Sequence, residues 1–137
     1  MYRIGKHEKK YKQIRQHQDR CPFCEPNKAE IIKKTVFFYI IKNVYGYDLW
    51  DRRQVKKHLM IVSKTHMVSL DKINQRAIVE YFRLLQKYSQ QGYDVFTRST
   101  LSGTKTQLHF HTHLIKTGQQ IFNHIRFVSE PYELFFE

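Results

Sequence analysis

The sequence predicts an α+β fold, an antiparallel β-sheet with one long helix packed on it. Three observations carry this. Residues 108–115 alternate, with His109, His111 and His113 at every second position and Leu108, Phe110, Thr112 and Leu114 between them. Side chains two apart share one face of a strand, whereas a helix scatters them around its axis. Residues 71–91 repeat at helical spacing, with Ile73, Ala77, Tyr81, Leu84, Leu85 and Tyr88 forming an apolar stripe. Strand-like segments lie on both sides of that helix and are joined by short loops, as in a sheet covered by a helix.

Taken in order, residues 1–20 carry seven Lys and Arg among Gln and His and read as a basic arm or short surface helix. Residues 21–25 are a turn, with Pro22 and Pro26 as breakers. Residues 29–34 form a short helix or the lead into a strand. Residues 35–41 are rich in β-branched and aromatic side chains and read as a buried strand. Residues 43–50, with Gly46 and Asp48, form a loop, and residues 55–63 another strand. Asp71 is the expected N-cap of the long helix and Gly92 its stop. A strand over 93–98, a polar loop over 99–106 and the histidine strand follow. Gly118 marks a turn, and residues 123–129 an extended segment. From Pro131 a tail ends in Leu134-Phe135-Phe136, which needs a core or a second subunit to pack against. The expected organisation is an arm over 1–20 and a single domain over 21–137.

The chain has 137 residues, enough for one moderate core, and a net charge of +12. Such a surface attracts anions: nucleotides, nucleic acid or acidic lipid heads. The charge bears on partners rather than on fold. No apolar run approaches the ~20 residues of a membrane helix, and the basic start lacks an apolar signal core. A soluble cytoplasmic protein is expected.

Both cysteines lie in Cys21-Pro22-Phe23-Cys24. Two cysteines so close do not make a secreted disulfide framework. The flanking prolines and preceding basic arm argue against a thioredoxin-type redox pair. A zinc site would need two further ligands from histidine, and His58, His66, His109, His111 and His113 are the candidates.

These motifs together resemble the histidine triad (HIT) superfamily of nucleotide hydrolases and transferases. Its signature alternates three histidines with apolar residues, and residues 109–115 match at all three, Thr112 being the one polar intervening residue. Upstream, His58-Leu-Met-Ile-Val-Ser-Lys64-Thr-His66 resembles the family's His-x-Leu-x-Ile-Pro-Lys-x-His segment, with Ser63 in place of Pro. The Cys pair resembles that of zinc-bearing members and of the related galactose-1-phosphate uridylyltransferases. The resemblance spans about residues 21–116. It departs at Thr104-Lys105-Thr106, where Gly-Gln-Ser/Thr is usual, at Arg98 or Ser99, where Asn is usual, and at Gly46, where Pro is common.

The resemblance implies an HIT-like sheet and helix, and it assigns roles. His111 is the implied nucleophile, attacking an α-phosphorus to form a nucleotidyl-imidazole. His113 is an implied catalytic donor and phosphate contact. Lys105 and Thr106 are candidate phosphate ligands, and Asn43 either contacts a ribose hydroxyl or simply forms a turn. Cys21, Cys24, His66 and His109 are the implied ligands of a structural zinc. His58 is expected to orient the neighbouring loop, while His7, His17 and His124 have no assigned role. The expected activity is hydrolysis or nucleotidyl transfer on a phosphoanhydride or phosphoramidate. The alternative is a zinc-stabilised nucleotide or nucleic-acid binding protein without catalysis. A further enzyme reading joins the two, with an adenylylated or capped nucleic-acid end as substrate. A homodimer is the expected assembly, as is common in the family.

Overall fold

The structure, a computed structural model, describes residues 3–16, 20–123, 125–129 and 132–136, the last two segments for their backbone only. A helix α1 (Gly5–Gln16) precedes the sheet. Strands β1 (Ile31–Lys34), β2 (Phe38–Lys42), β3 (Leu49–Trp50) and β4 (Arg53–Ser63) follow. Helix α2 (Gln75–Gln90) then leads to β5 (Asp94–Phe96) and the long β6 (His111–Ile121). The main sheet runs β1-β2-β4-β6-β5, with β3 added to β4, and every pairing is antiparallel. This is the α+β arrangement expected from the sequence. Strands β7 (Ile125–Ser129) and β8 (Tyr132–Phe136) make a separate antiparallel hairpin. The packing of the Leu134-Phe135-Phe136 side chains lies outside the described residues, as do His17 and His124.

The two faces of the sheet divide the work. On one, Phe38, Ile40, Ile61 and Leu114 pack against Ala77, Tyr81, Leu84 and Tyr88 of α2. Each fully buried Ile or Leu contributes roughly 1.5–3 kcal/mol, so this face holds the fold. Thr112 belongs to it: its Oγ1 lies 2.8 Å from the Tyr81 hydroxyl and 2.7 Å from Thr97 Oγ1. The one polar residue between the histidines thus ties β6 to the helix with a satisfied hydroxyl. On the other face, β4 pairs Met60 with His113 and Val62 with His111. Ile41, Met60 and Val62 there cluster with Phe23 of the cysteine turn.

Several boundaries differ from the sequence reading. The strand expected over 35–41 begins only at Phe38, because 35–37 turn the β1–β2 hairpin. Glu80 of α2 accepts the Val36 and Phe37 amides at 3.0 and 3.1 Å, holding that turn outside the ladder. Helix α2 starts after Asn74, not Asp71; the Asn74 side chain accepts the Ala77 amide at 2.9 Å. Asp71 sits instead in a short 3₁₀ turn over Leu70–Lys72. Gly92 does follow the helix, at φ 78°. Gly118 is no turn: it lies within β6, where the register with β4 shifts between Arg53 and Lys57. A Cβ there would stand 2.9 Å from Lys56 Cε, so glycine accommodates a crossing side chain at a β-irregularity. The basic arm forms α1 over part of its length, and α1 buries none of its residues.

Candidate functional site

The strand expected over 108–115 begins at His111, so His109 occupies the bend just before it. His109 is nonetheless buried, because its ring is fixed from two sides. Its Nε2–H donates to the Ser63 carbonyl at 2.8 Å and lies 3.0 Å from Ser63 Oγ. That leaves Nδ1 with a lone pair, and Nδ1 faces Cys21 Sγ at 3.3 Å and Cys24 Sγ at 3.6 Å. His66 Nδ1 approaches Cys24 Sγ at 3.1 Å. Donor atoms of Cys21, Cys24, His66 and His109 all lie within 4.8 Å of one another. A four-coordinate zinc with Zn–S of ~2.3 Å and Zn–N of ~2.0 Å needs ligand atoms roughly 3.3–3.8 Å apart. Two thiols and two imidazoles, one already oriented by an outer hydrogen bond, suit such an ion. These four residues are positioned to bind a metal ion.

Hydrogen bonds also set the tautomers of His111, His58 and His113. His111 Nδ1–H donates to the His109 carbonyl at 2.8 Å. Its Nε2 therefore carries the lone pair. On β4, His58 Nδ1 accepts the Tyr47 amide at 3.0 Å. Its Nε2–H then donates to His113 Nδ1 at 2.9 Å. His113 in turn must hold its own proton on Nε2. Asn43 Nδ2 stands 3.3 Å from His58 Nε2, whose proton is already committed to His113, so that approach is a packing contact. The site thus presents one bare imidazole nitrogen on His111 beside one N–H on His113.

Aromatic rings hold these groups in place. Phe23 lies 5.0 Å from His111. His113 sits between Phe96, stacked at 5.8 Å, and Tyr47 at 5.7 Å. Gly46 lets the 43–47 loop close on His58, since a Cβ there would stand 2.9 Å from His58 Nδ1. Burial favours neutral rings throughout. Burial holds the His58 pKa at about 3, aided by the positive charge of Arg3 and by His111. Burial also lowers His111, only partly offset by the carbonyl bond, with Lys105, His109 and Arg98 acting the same way. His113 is held well below its ordinary value by burial, then by His111, His58, Arg98 and Arg3.

A testable consequence concerns stability in acid. His58 is faced by His113 and His111 on β6, Arg3 ahead of α1, and Tyr47 and Asn43 of the loop. Its folded pKa lies below its unfolded value, so its stabilising contribution is complete above pH ~6.5 and is lost as pH falls toward 3. The loss amounts to about 1.4 kcal/mol per pH unit, or some 4–5 kcal/mol over the window. Urea unfolding of the native chain should therefore weaken between pH 7 and 5 more steeply than that of His58→Gln. Parallel pH profiles would contradict this.

A cavity of about 720 Å³ opens onto His111 and His113, a volume suited to a nucleotide-sized ligand. Of the sequence candidates, Asn43, Thr106, His111 and His113 line it. Asn43 also turns its own loop, its Oδ1 accepting the Tyr45 amide at 3.1 Å. Lys105 does not line the cavity; its ammonium donates to the Val68 carbonyl at 2.8 Å. Sequence reasoning expected His58 to orient the neighbouring loop, which its bond to the Tyr47 amide fits, but missed its pairing with His113 and three further contributors. The pairing of His58 with His113 depends on the β4–β6 register, which no local pattern reveals. Tyr47, Arg3 and Tyr11 lie in stretches without periodicity. Arg3 Nε donates to the Tyr45 carbonyl at 2.7 Å, and its guanidinium lies 3.9 Å from the centre of the Tyr11 ring and 4.9 Å from that of Tyr47.

No protein-family model matches the sequence, and no curated protein matches it either. The fold, however, is that of histidine triad proteins. A HIT family hydrolase from Clostridium thermocellum superposes with a TM-score of 0.55 at 19% identity, covering 74% of this chain and 94% of the other. A HIT family hydrolase from Legionella pneumophila gives 0.52 at 19% identity, covering 74% and 95%. A histidine triad nucleotide-binding protein from Candida albicans gives 0.52 at 18% identity, covering 73% and 77%. Among the described residues no helix is long and apolar enough to cross a membrane.

Proposed function

We propose that this protein is a nucleotide hydrolase or nucleotidyltransferase that acts on an α-phosphate through His111. The observation that carries the reading is the His111 ring itself. Its Nδ1–H is committed to the His109 carbonyl, and its bare Nε2 belongs to a residue lining a nucleotide-sized cavity. A neutral, oriented imidazole is a competent nucleophile at pH 7. The Nε2 lone pair forms a bond to phosphorus as the bond to the leaving group breaks. Water or another acceptor then displaces the nucleotidyl group, and the electron pair returns to Nε2. His113, as a neutral donor, stabilises the charge that builds on phosphoryl oxygen. His58 is a positioning residue that keeps the His113 proton on Nε2. Thr106 is proposed as a phosphate contact and Asn43 as a ribose contact. Lys105 acts by its charge from behind the loop.

Cys21, Cys24, His66 and His109 are proposed to hold zinc. Held by these four side chains, such an ion would contribute folding energy and placement. The coupling to catalysis is short, because the carbonyl that orients His111 belongs to the ligand His109. The fold shared with proteins described as hydrolases and as nucleotide-binding supports the same reading. A single domain over residues 21–137 is the proposed organisation, and a homodimer the proposed assembly.

The test is turnover of an adenosine 5′-phosphoramidate and of a dinucleoside polyphosphate by the metal-loaded chain. Release of mononucleotide from either is expected. Tight binding of both without any turnover would replace the enzyme by a binding protein.

A further inference from the structure

The cavity owes one wall to a segment that apolar packing does not hold. Arg3, Glu8, Tyr11, Lys12, Ile14 and Arg15 line it, all from α1 or just ahead of it. Yet α1 buries none of its residues. Its sequence carries five Lys and Arg against the one carboxylate of Glu8, and Lys6 and Lys10 stand one turn apart with like charge. Isolated helices of this length are marginal in water even when their sequences favour them. Helix α1 therefore depends on its docking, and the docking depends on polar contacts.

These contacts reach two loops that flank the site. Asp48, in the loop after β2, serves the start of the helix. Its Oδ2 accepts the Ile4 amide at 2.7 Å, and its Oδ1 lies 2.9 Å from His7 Nδ1. The Ile4 carbonyl accepts the His7 and Glu8 amides, so Ile4 stands where the helix begins. A carboxylate at that end satisfies an amide that has no partner within the helix and meets the positive end of the helix dipole. Asp48 thus caps α1 from a distant part of the chain. Arg3 is the second anchor. Its Nε donates to the Tyr45 carbonyl at 2.7 Å, and its guanidinium lies over the rings of Tyr11 and Tyr47. The third contact is the Tyr11 hydroxyl, 2.9 Å from Thr106 Oγ1 in the loop before the histidines. With Tyr11 donating, the Thr106 hydroxyl keeps its own proton for an anion in the cavity. That contact suits a filled site as well as an empty one.

We propose that α1 is a closing strap, which undocks to admit a ligand and docks over it, with Asp48 as its latch. Closure over a nucleotide rests on the function proposed above; the latch does not. Two features favour closure on a filled site. Lys12 and Arg15 bring positive charge to the cavity, so an anion there strengthens the docking. The docked strap also sets Arg3 where its charge adds to burial in keeping His58 neutral.

Trypsin reads the position of the strap. Lys6, Lys9 and Lys10 are exposed but do not line the cavity, so a ligand inside does not shield them by contact. Cutting there follows the population of the undocked strap when redocking is fast. Cuts after Lys33 and Lys57, within β1 and β4, report unfolding of the sheet instead. In the full metal-loaded chain, Asp48→Asn should speed the strap cuts about tenfold and Tyr11→Phe about threefold, with the sheet cuts unchanged. Tyr11→Phe leaves Asp48 in place, so it tests the docking even where Asp48→Asn disturbs the sheet. Adenosine 5′-monophosphate, its binding measured by equilibrium dialysis, should slow the strap cuts about tenfold at saturation and restore protection in Asp48→Asn. Unchanged strap cutting in Asp48→Asn, or sheet and strap accelerated alike in both variants, overturns the latch. Bound monophosphate with unchanged strap cutting overturns the closure and leaves the proposed function standing. Absence of monophosphate binding removes the nucleotide reading and the closure with it.

Discussion

His111→Ala should reduce turnover by about 10⁴-fold or more while leaving the fold intact. The magnitude follows from loss of a nucleophile, whose removal forfeits the covalent route altogether. Only binding and the remaining donors then act on the substrate. The fold should survive because the His111 ring donates one hydrogen bond, to a carbonyl, and lines a cavity rather than the α2-facing core. Steady-state assays with unfolding curves check this together. A variant as stable as the native chain, retaining more than a few per cent of its rate, would remove His111 from the chemistry. His58→Gln should be milder, lowering kcat more than it changes KM, since His58 does not line the cavity and holds the His113 proton in place.

Removal of the metal should be the largest stability effect. Cys24→Ser takes away one of the four proposed ligands, and structural zinc sites contribute on the order of 10 kcal/mol to folding. A fall of at least ~15 °C in Tm is expected, since ~1 kcal/mol shifts a domain of this size by several degrees. Metal content should drop below stoichiometric, and activity should fall with it although Cys24 touches no substrate. The route is the His109 carbonyl, which loses its anchor and releases His111. Stoichiometric zinc with unchanged melting in the variant would sink the site.

Much of this was legible in the sequence because period-two and period-3.6 patterns report local geometry directly. The alternation over 108–115 gave a strand with His111 and His113 on the site face, and the stripe through Tyr81 and Leu84 gave α2. What stayed hidden depended on register or on polar docking. His58 lies opposite Ile115 and Met60 opposite His113, so the His58–His113 bond runs diagonally between strands. Asp71 and Asn74 are equally good caps by residue type, and only the Asn74–Ala77 bond decides between them. Gly118 looked like a turn because glycine serves both turns and strand irregularities. Helix α1 has no apolar stripe, so nothing in its sequence pointed to a place over the cavity.

A covalent nucleotidyl-His111 would be seen in the intact mass of the protein. The metal-loaded chain is mixed briefly with a slow adenylyl donor and quenched in base, where a phosphorus–nitrogen bond survives. A mass gain of one adenylyl group is expected, lost on acid treatment, mapped to His111 and absent from His111→Ala. An adduct on another residue, or undiminished turnover by His111→Ala without any adduct, would contradict it.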